Sequence, residues 1–182
     1  NRIPVKKHDH VLIPAGTVHC SGADTMVLEI SATPYIFTFK LWDWGRVDLD
    51  GKPRPIHLEH GAANIQWYRN TEWVHRNLVN AVAEVYTGEN GTVVRTGLHE
   101  REFLDTFRFT TSSTLPVHRN GSVHMLNLVD GTRAVLRSKS DAFPPLELHY
   151  AETCIVPQAA GDYEISSPDG SEVKVILACV RN

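Results

Sequence analysis

The chain has 182 residues and a mass of 20.4 kDa, with 42% hydrophobic residues, 21% charged residues and a formal net charge of −3. This composition excludes a disordered tail, a collagenous rod and a coiled coil, and a chain of this length buries roughly 70% of its unfolded surface. No run approaches the roughly 18 apolar residues of a membrane helix and no basic block is present, so neither a membrane nor nucleic acid is an expected partner. Three scattered cysteines, Cys20, Cys154 and Cys179, imply neither a disulfide framework nor a metal knuckle, and the cytoplasm is the expected compartment.

In chain order, the first element is the run Val11–Ile13, ended by a Pro14-Ala15-Gly16 turn. Strands are then predicted over Met26–Ile30 and, with aromatic alternation, Tyr35–Trp44. The stretch from Asp48 to Pro55 reads as a loop, since its prolines disfavour both helix and central strand. Between about 56 and 80 apolar residues recur every three or four positions, which predicts one or two short helices, the second capped by Asn70 or Thr71.

From Val82 the pattern returns to short β-type runs: Val82–Tyr86, Thr92–Thr96, Phe103–Thr111, Val123–Val129, Ala134–Leu136, Leu146–Tyr150, Thr153–Val156, Tyr163–Ser166 and Val173–Val180. Thr87–Gly91 and Asp130-Gly131-Thr132 are predicted hairpin turns. Strands at this spacing without βα alternation predict an all-β sandwich or barrel with a helical insertion. Val11–Gly16 and Cys154–Gly161 echo each other weakly: each is a short apolar strand, a proline and a glycine turn.

The stretch carrying most chemical information is Asp9-His-Val-Leu-Ile-Pro-Ala-Gly-Thr-Val-His19. A histidine opening the strand after a Pro-Gly turn is expected at a barrel mouth, where a neutral imidazole can bind a divalent metal. The pattern D-x-x-x-I-P-x-G-x-x-H resembles the second motif of the cupin superfamily. Leu28-Glu29-Ile30, Thr38-Phe-Lys-Leu-Trp-Asp-Trp-Gly-Arg46 and Asp50-Gly-Lys-Pro-Arg-Pro-Ile-His57 then follow in the order seen in the C-terminal half of type I mannose-6-phosphate isomerases. The resemblance spans about residues 9 to 60.

That resemblance implies a cupin-type jelly-roll β-sandwich and zinc-dependent interconversion of mannose 6-phosphate and fructose 6-phosphate. His19 takes the place of a zinc-binding histidine. Glu29 matches an acidic residue facing the metal pocket. Lys40, where the family carries arginine, and Arg46 match basic residues of the substrate cleft. The remaining zinc ligands of the family lie upstream of this motif, so the chain is expected to be a C-terminal portion that lacks the full site and is inactive alone. The implied partner is a small sugar phosphate, and an oligomer is compatible with the pattern. The expected organisation is a partial cupin barrel at 1–55, a helical linker at 56–80 and a second, metal-free cupin-like region at 81–182. The alternative is a metal-free sugar-binding or regulatory module without catalysis.

Other residues are weighed against structural roles. His8 and His10 form an H-x-H pattern but are expected to decorate a strand edge, and His57 and His60 to sit at a helix start. Trp42, Trp44, Trp67 and Trp73 are expected mostly to pack as core. Cys20 should face away from His19, because adjacent strand residues point to opposite sides. His118, His124 and His149 carry no motif.

Overall fold

In the computed structural model, residues 2–31 and 38–181 are described. Contacts divide the chain into two units: residues 1–4 with 13–78, and residues 5–12 with 79–182. All the named strands lie in the second unit.

The second unit is a β-sandwich of two antiparallel sheets. The strands are β1 (Ala83–Gly88), β2 (Gly91–Arg95), β3 (Leu104–Thr111), β4 (Thr114–Val117), β5 (His124–Asp130), β6 (Arg133–Ser138), β7 (Leu146–His149), β8 (Thr153–Val156), β9 (Tyr163–Ser166) and β10 (Val173–Val180). One sheet has the order β1-β2-β3-β10-β5-β8 and the other β4-β9-β6-β7. The alternation read in the sequence is what closes the core. On β10, Val173, Val175 and Leu177 are buried while Lys174 and Ile176 between them are half-buried. They pack with Leu115, Leu126, Leu128, Leu136, Leu148, Tyr163 and Ile165 from both sheets. The chain therefore has the all-β, cupin-type fold that its sequence predicts.

Two local expectations in this unit are corrected. Asp130-Gly131-Thr132 does not close a hairpin, because β5 and β6 belong to different sheets and the turn carries the chain across the sandwich. Gly131 permits that corner: its φ is +87°, and an added Cβ would come within 2.7 Å of a Val173 methyl. Strand β4 was not expected, since it contains Pro116. It lies at a sheet edge, where the missing N–H interrupts no ladder.

The first unit holds α1 (Leu58–Asn64) and α2 (Thr71–Asn77), matching the predicted pair of short helices. Asn70 is the N-cap of α2, its side chain accepting the Trp73 N–H at 3.0 Å. The runs around Val11–Ile13 and Met26–Ile30 are not strands; Val11 makes an isolated bridge to Val79 within the second unit. The predicted strand Tyr35–Trp44 lies partly outside the described residues, and its described part, 38–44, is not a strand. β-Branched runs become strands only when a neighbour satisfies their backbone groups along their length, and among the described residues these have isolated contacts such as the Val11–Val79 bridge rather than a paired strand. Trp42, Trp44 and Trp67 are correspondingly exposed rather than core, and only Trp73 of the four tryptophans is half-buried.

Candidate functional site

The Pro14–Thr17 turn of the first unit is held by hydrogen bonds from within it and from residues 66 and 69. Thr17 N–H donates to the Pro14 carbonyl at 3.2 Å, and Gly16 sits at φ +81°. A Cβ on Gly16 would fall 2.6 Å from the Asn64 carbonyl, so this turn requires glycine. Gln66 N–H donates to the Gly16 carbonyl, and one Arg69 terminal nitrogen donates to the carbonyls of Pro14 and Ala15 at 3.0 and 2.8 Å. Sequence reading missed Arg69; it lies fifty residues from the turn it clamps and carries no motif.

Two residues beyond the turn, His19 is exposed, with Nδ1 2.9 Å from the Thr17 carbonyl. A carbonyl can only accept, so Nδ1 carries a proton, which in the neutral ring leaves the lone pair on Nε2. That is the tautomer a metal-binding imidazole needs. Among the described residues, however, no group of three or more His, Cys, Asp or Glu is placed to hold a metal ion. His19 is one donor, and the described residues do not make a zinc site around it. His8 is engaged elsewhere: its Nε2 lies 2.7 Å from Asp130. His10 is half-buried with Nδ1 unpartnered, and burial, followed by the Arg108 charge, lowers its pKa. Glu29 is exposed and makes no hydrogen bond or ion pair among the described residues.

Lys40 and Arg46 belong to one local structure. Lys40 is tied to the start of α1 in both directions: His57 N–H donates to its carbonyl at 2.7 Å, and its own N–H donates to His57 Nδ1 at 3.2 Å. This gives His57 a structural role, as expected. Phe39 stacks on His60 with ring centroids 5.8 Å apart. The chain then reverses through a tight turn in which Arg46 N–H donates to the Asp43 carbonyl at 2.9 Å, with Trp44 and Gly45 at φ +58° and +67°. Positive φ at both central positions belongs to the primed turns, and it is unusual for a bulky tryptophan. Arg54 N–H donates to the Arg46 carbonyl at 3.0 Å, and Val47 bridges Pro53, so 46 and 54 face each other across a narrow loop.

The side chains there form an ion cluster. The Asp43 carboxylate, 11% exposed, is 3.0 Å from Arg54 Nε and 3.7 Å from Lys40 Nζ. Its buried Oδ2 nevertheless receives no well-directed hydrogen bond, so these contacts are Coulombic. Trp42, Asp43, Gly45, Arg46, Pro53, Arg54 and Ile56 line an open depression of about 230 Å³. The structure thus brings Lys40 and Arg46 into one segment, and among the described residues no hydrogen bond or ion pair joins them to His19 or Glu29. Asp43 and Arg54 were missed in the sequence. The available signal was a carboxylate three residues after Lys40 inside the Trp-Asp-Trp-Gly-Arg run.

In the second region each histidine is committed locally. His118 pairs with Asp162 at 2.8 Å and His149 with Glu152 at 3.1 Å. His124, 2% exposed, has Nε2 at 3.1 Å from Asn120 Oδ1 and Nδ1 at 2.9 Å from the Tyr163 hydroxyl. As the Asn120 oxygen only accepts, Nε2 is protonated and Tyr163 donates to Nδ1. Burial, and then the Arg119 charge, push the His124 pKa down to about 4. Among the described residues, no helix is long and apolar enough to cross a membrane.

A cupin-type β-sandwich following an Ile-Pro-x-Gly-x-x-His turn defines the class of protein to which the chain compares. Within that class its sequence is similar to mannose-6-phosphate isomerases. It is 38% identical to ManA of Bacillus subtilis over 65 residues, which is 36% of this chain and 20% of that enzyme. It is 36% identical to the mannose-6-phosphate isomerase of Streptococcus mutans over 58 residues, 32% of this chain and 18% of the relative. These matches span about a fifth of the relatives' length. The crystal structure of the Bacillus subtilis mannose 6-phosphate isomerase superposes with a TM-score of 0.54 at 13% identity, covering 77% of this chain and 39% of that one. No protein-family model matches the chain. The resemblance read from the motifs is thus found again in sequence and in fold.

Proposed function

We propose that the chain carries part of an aldose–ketose isomerase acting on mannose 6-phosphate and fructose 6-phosphate. The observation that carries this reading is the 36–38% identity to mannose-6-phosphate isomerases over 58–65 residues. The reaction moves one proton from the carbon beside the carbonyl to the neighbouring carbon, while a hydroxyl proton passes between the two oxygens. It needs a base, positive charge beside the developing enediolate and an anchor for the phosphate. Glu29, exposed and without a partner among the described residues, is proposed as the base. Lys40 and Arg46 are proposed for charge stabilisation and anchoring.

His19, with Nε2 presented, is proposed as one donor to a zinc ion, which would supply a Lewis acid at the sugar oxygens. No group of three metal-ligating residues stands beside it among the described residues, and the proton transfer is assigned to the chain's own side chains. Residues 81–182 serve in this reading as a metal-free structural domain, consistent with histidines paired to neighbours. The three free thiols suit the reducing cytoplasm proposed as its compartment.

The test is incubation of the longest natural form of the protein, with added zinc, in D2O with mannose 6-phosphate or free mannose. The expected result is fructose 6-phosphate, with solvent deuterium at the carbon that receives the proton, and no product from mannose. Lys40→Ala should slow formation roughly 100-fold or more. Binding of mannose 6-phosphate without turnover or deuterium uptake would overturn the isomerase reading in favour of a sugar-binding module.

A further inference from the structure

Between α1 and α2 the chain bends at 66–70. Arg69 N–H donates to the Gln66 carbonyl at 3.0 Å, and Asn70 N–H to the Tyr68 carbonyl at 2.8 Å. With the Asn70 cap of α2 following at once, this bend stands the Arg69 guanidinium against two rings, its Cζ 5.3 Å from the Trp73 centroid and 5.6 Å from the Tyr68 centroid. A cation within about 6 Å of a ring centroid is attracted by its π face. The guanidinium has no carboxylate partner among the described residues, and its Nε is buried and unpartnered. One terminal nitrogen carries its hold on the 14–17 turn, donating to the Thr17 hydroxyl as well as to the Pro14 and Ala15 carbonyls. Three oxygens gathered on one charged donor leave the peptide planes of the turn little freedom to rotate.

The residue at the end of this clamp also holds His19. Thr17 receives Arg69 at its hydroxyl, and its carbonyl accepts His19 Nδ1–H at 2.9 Å. Where that carbonyl points therefore follows from where Arg69 pins its residue. His19 is exposed, so water competes for both ring nitrogens, and a fixed acceptor beside Nδ1 is what biases the ring. We propose that Arg69 is the positioning residue of His19: acting through Thr17, it keeps the imidazole in the Nδ1–H tautomer and leaves Nε2 as an acceptor for a divalent cation or a proton. This rests on the role given to His19 above and adds to it the residue that maintains that role. Arg69 acts on the ring through the turn and not by contact, from a position fifty residues further along the chain.

Two-bond 1H–15N correlation spectra of the 15N-labelled chain test the assignment, recorded at about pH 8, above the roughly 6.5 at which a free imidazole titrates. The His19 ring signals are identified by their absence from His19→Gln. The unsubstituted chain should show His19 mainly as the Nδ1–H tautomer. Arg69→Met should lower the ratio of Nδ1–H to Nε2–H roughly threefold or more. Arg69→Lys keeps a charged donor and should recover about half of that change or more. Thr17→Val keeps the shape of the side chain and removes only its hydroxyl, so it should shift the ratio in the same direction at an unchanged melting temperature, and it decides the matter if Arg69→Met does not fold. An Nε2–H majority in the unsubstituted chain, an unchanged ratio in Thr17→Val, or no recovery in Arg69→Lys overturns the assignment. None of these spectra needs substrate or metal. A clamped tautomer in a protein that turns over no sugar phosphate defeats the isomerase reading alone, and an unclamped one in a protein that does turn it over defeats this assignment alone.

Discussion

The two units of this chain contain similar apolar residues and use them differently. In the second, Leu126, Leu128, Leu136, Val173 and Val175 are fully buried between two sheets. In the first, Pro14, Gly61 and Leu78 alone are buried among the described residues, while Met26, Val27, Leu28, Trp42 and Trp67 are exposed. Strand propensity is a preference for a half-buried, paired surface, and it is realised where neighbouring strands exist. The candidate functional residues follow the same division: His19, Glu29, Lys40 and Arg46 all lie on the unit that buries little.

The strongest challenge to this contrast is paired truncation. Leu126→Ala should destabilise the chain by about 4 kcal/mol, because the packed sandwich leaves a cavity, whereas Leu28→Ala should cost less than about 0.5 kcal/mol. Denaturant unfolding measures both; similar losses would erase the distinction.

A titration sharpens the same point. The folded chain holds His124 neutral, with its pKa lowered from 6.5 to about 4. As pH falls from 6.5 towards 4, the unfolded chain takes up a proton that the folded chain refuses, so stability drops across that window by about 3 kcal/mol. Above pH 6.5 both states are neutral and the term is flat. His124→Gln should remove this slope in urea unfolding measured at several pH values.

A smaller effect concerns residues 5–12, which belong to the second unit. Asp130 gathers Lys7, His8 and Lys174, with the Lys7 hydrogen bond the main cause and His8 and Lys174 the next, and they hold its carboxyl well below the usual carboxylate range. Asp130→Asn should cost about 1 kcal/mol, because the pairs are partly solvated, and should speed proteolysis within residues 5–12.

Much of the fold was legible because the second unit obeys local rules: alternation, turn glycines and strand-length runs agree with one another. The cap of the second helix was narrowed to Asn70 or Thr71, and the structure uses Asn70. What was not legible depended on long-range partners. Nothing in Asp130-Gly131-Thr132 says that the next strand joins the other sheet, and nothing in Met26–Ile30 says that no neighbour will pair with it. At the candidate site, the His19 turn and the Lys40–Arg46 run stood out as motifs. Asp43 and Arg54 did not, because their meaning lies in an ion pair between residues eleven positions apart, formed across a loop.

Amide hydrogen exchange on the full chain tests the central claim most directly: that folding stability resides in the β-sandwich while the candidate functional residues occupy a loosely packed unit. The amides of Leu126, Leu128, Val175 and Leu177 should exchange through global unfolding, and those of residues 18–30 and 38–46 should exchange far faster. Equal protection in both sets would contradict the account.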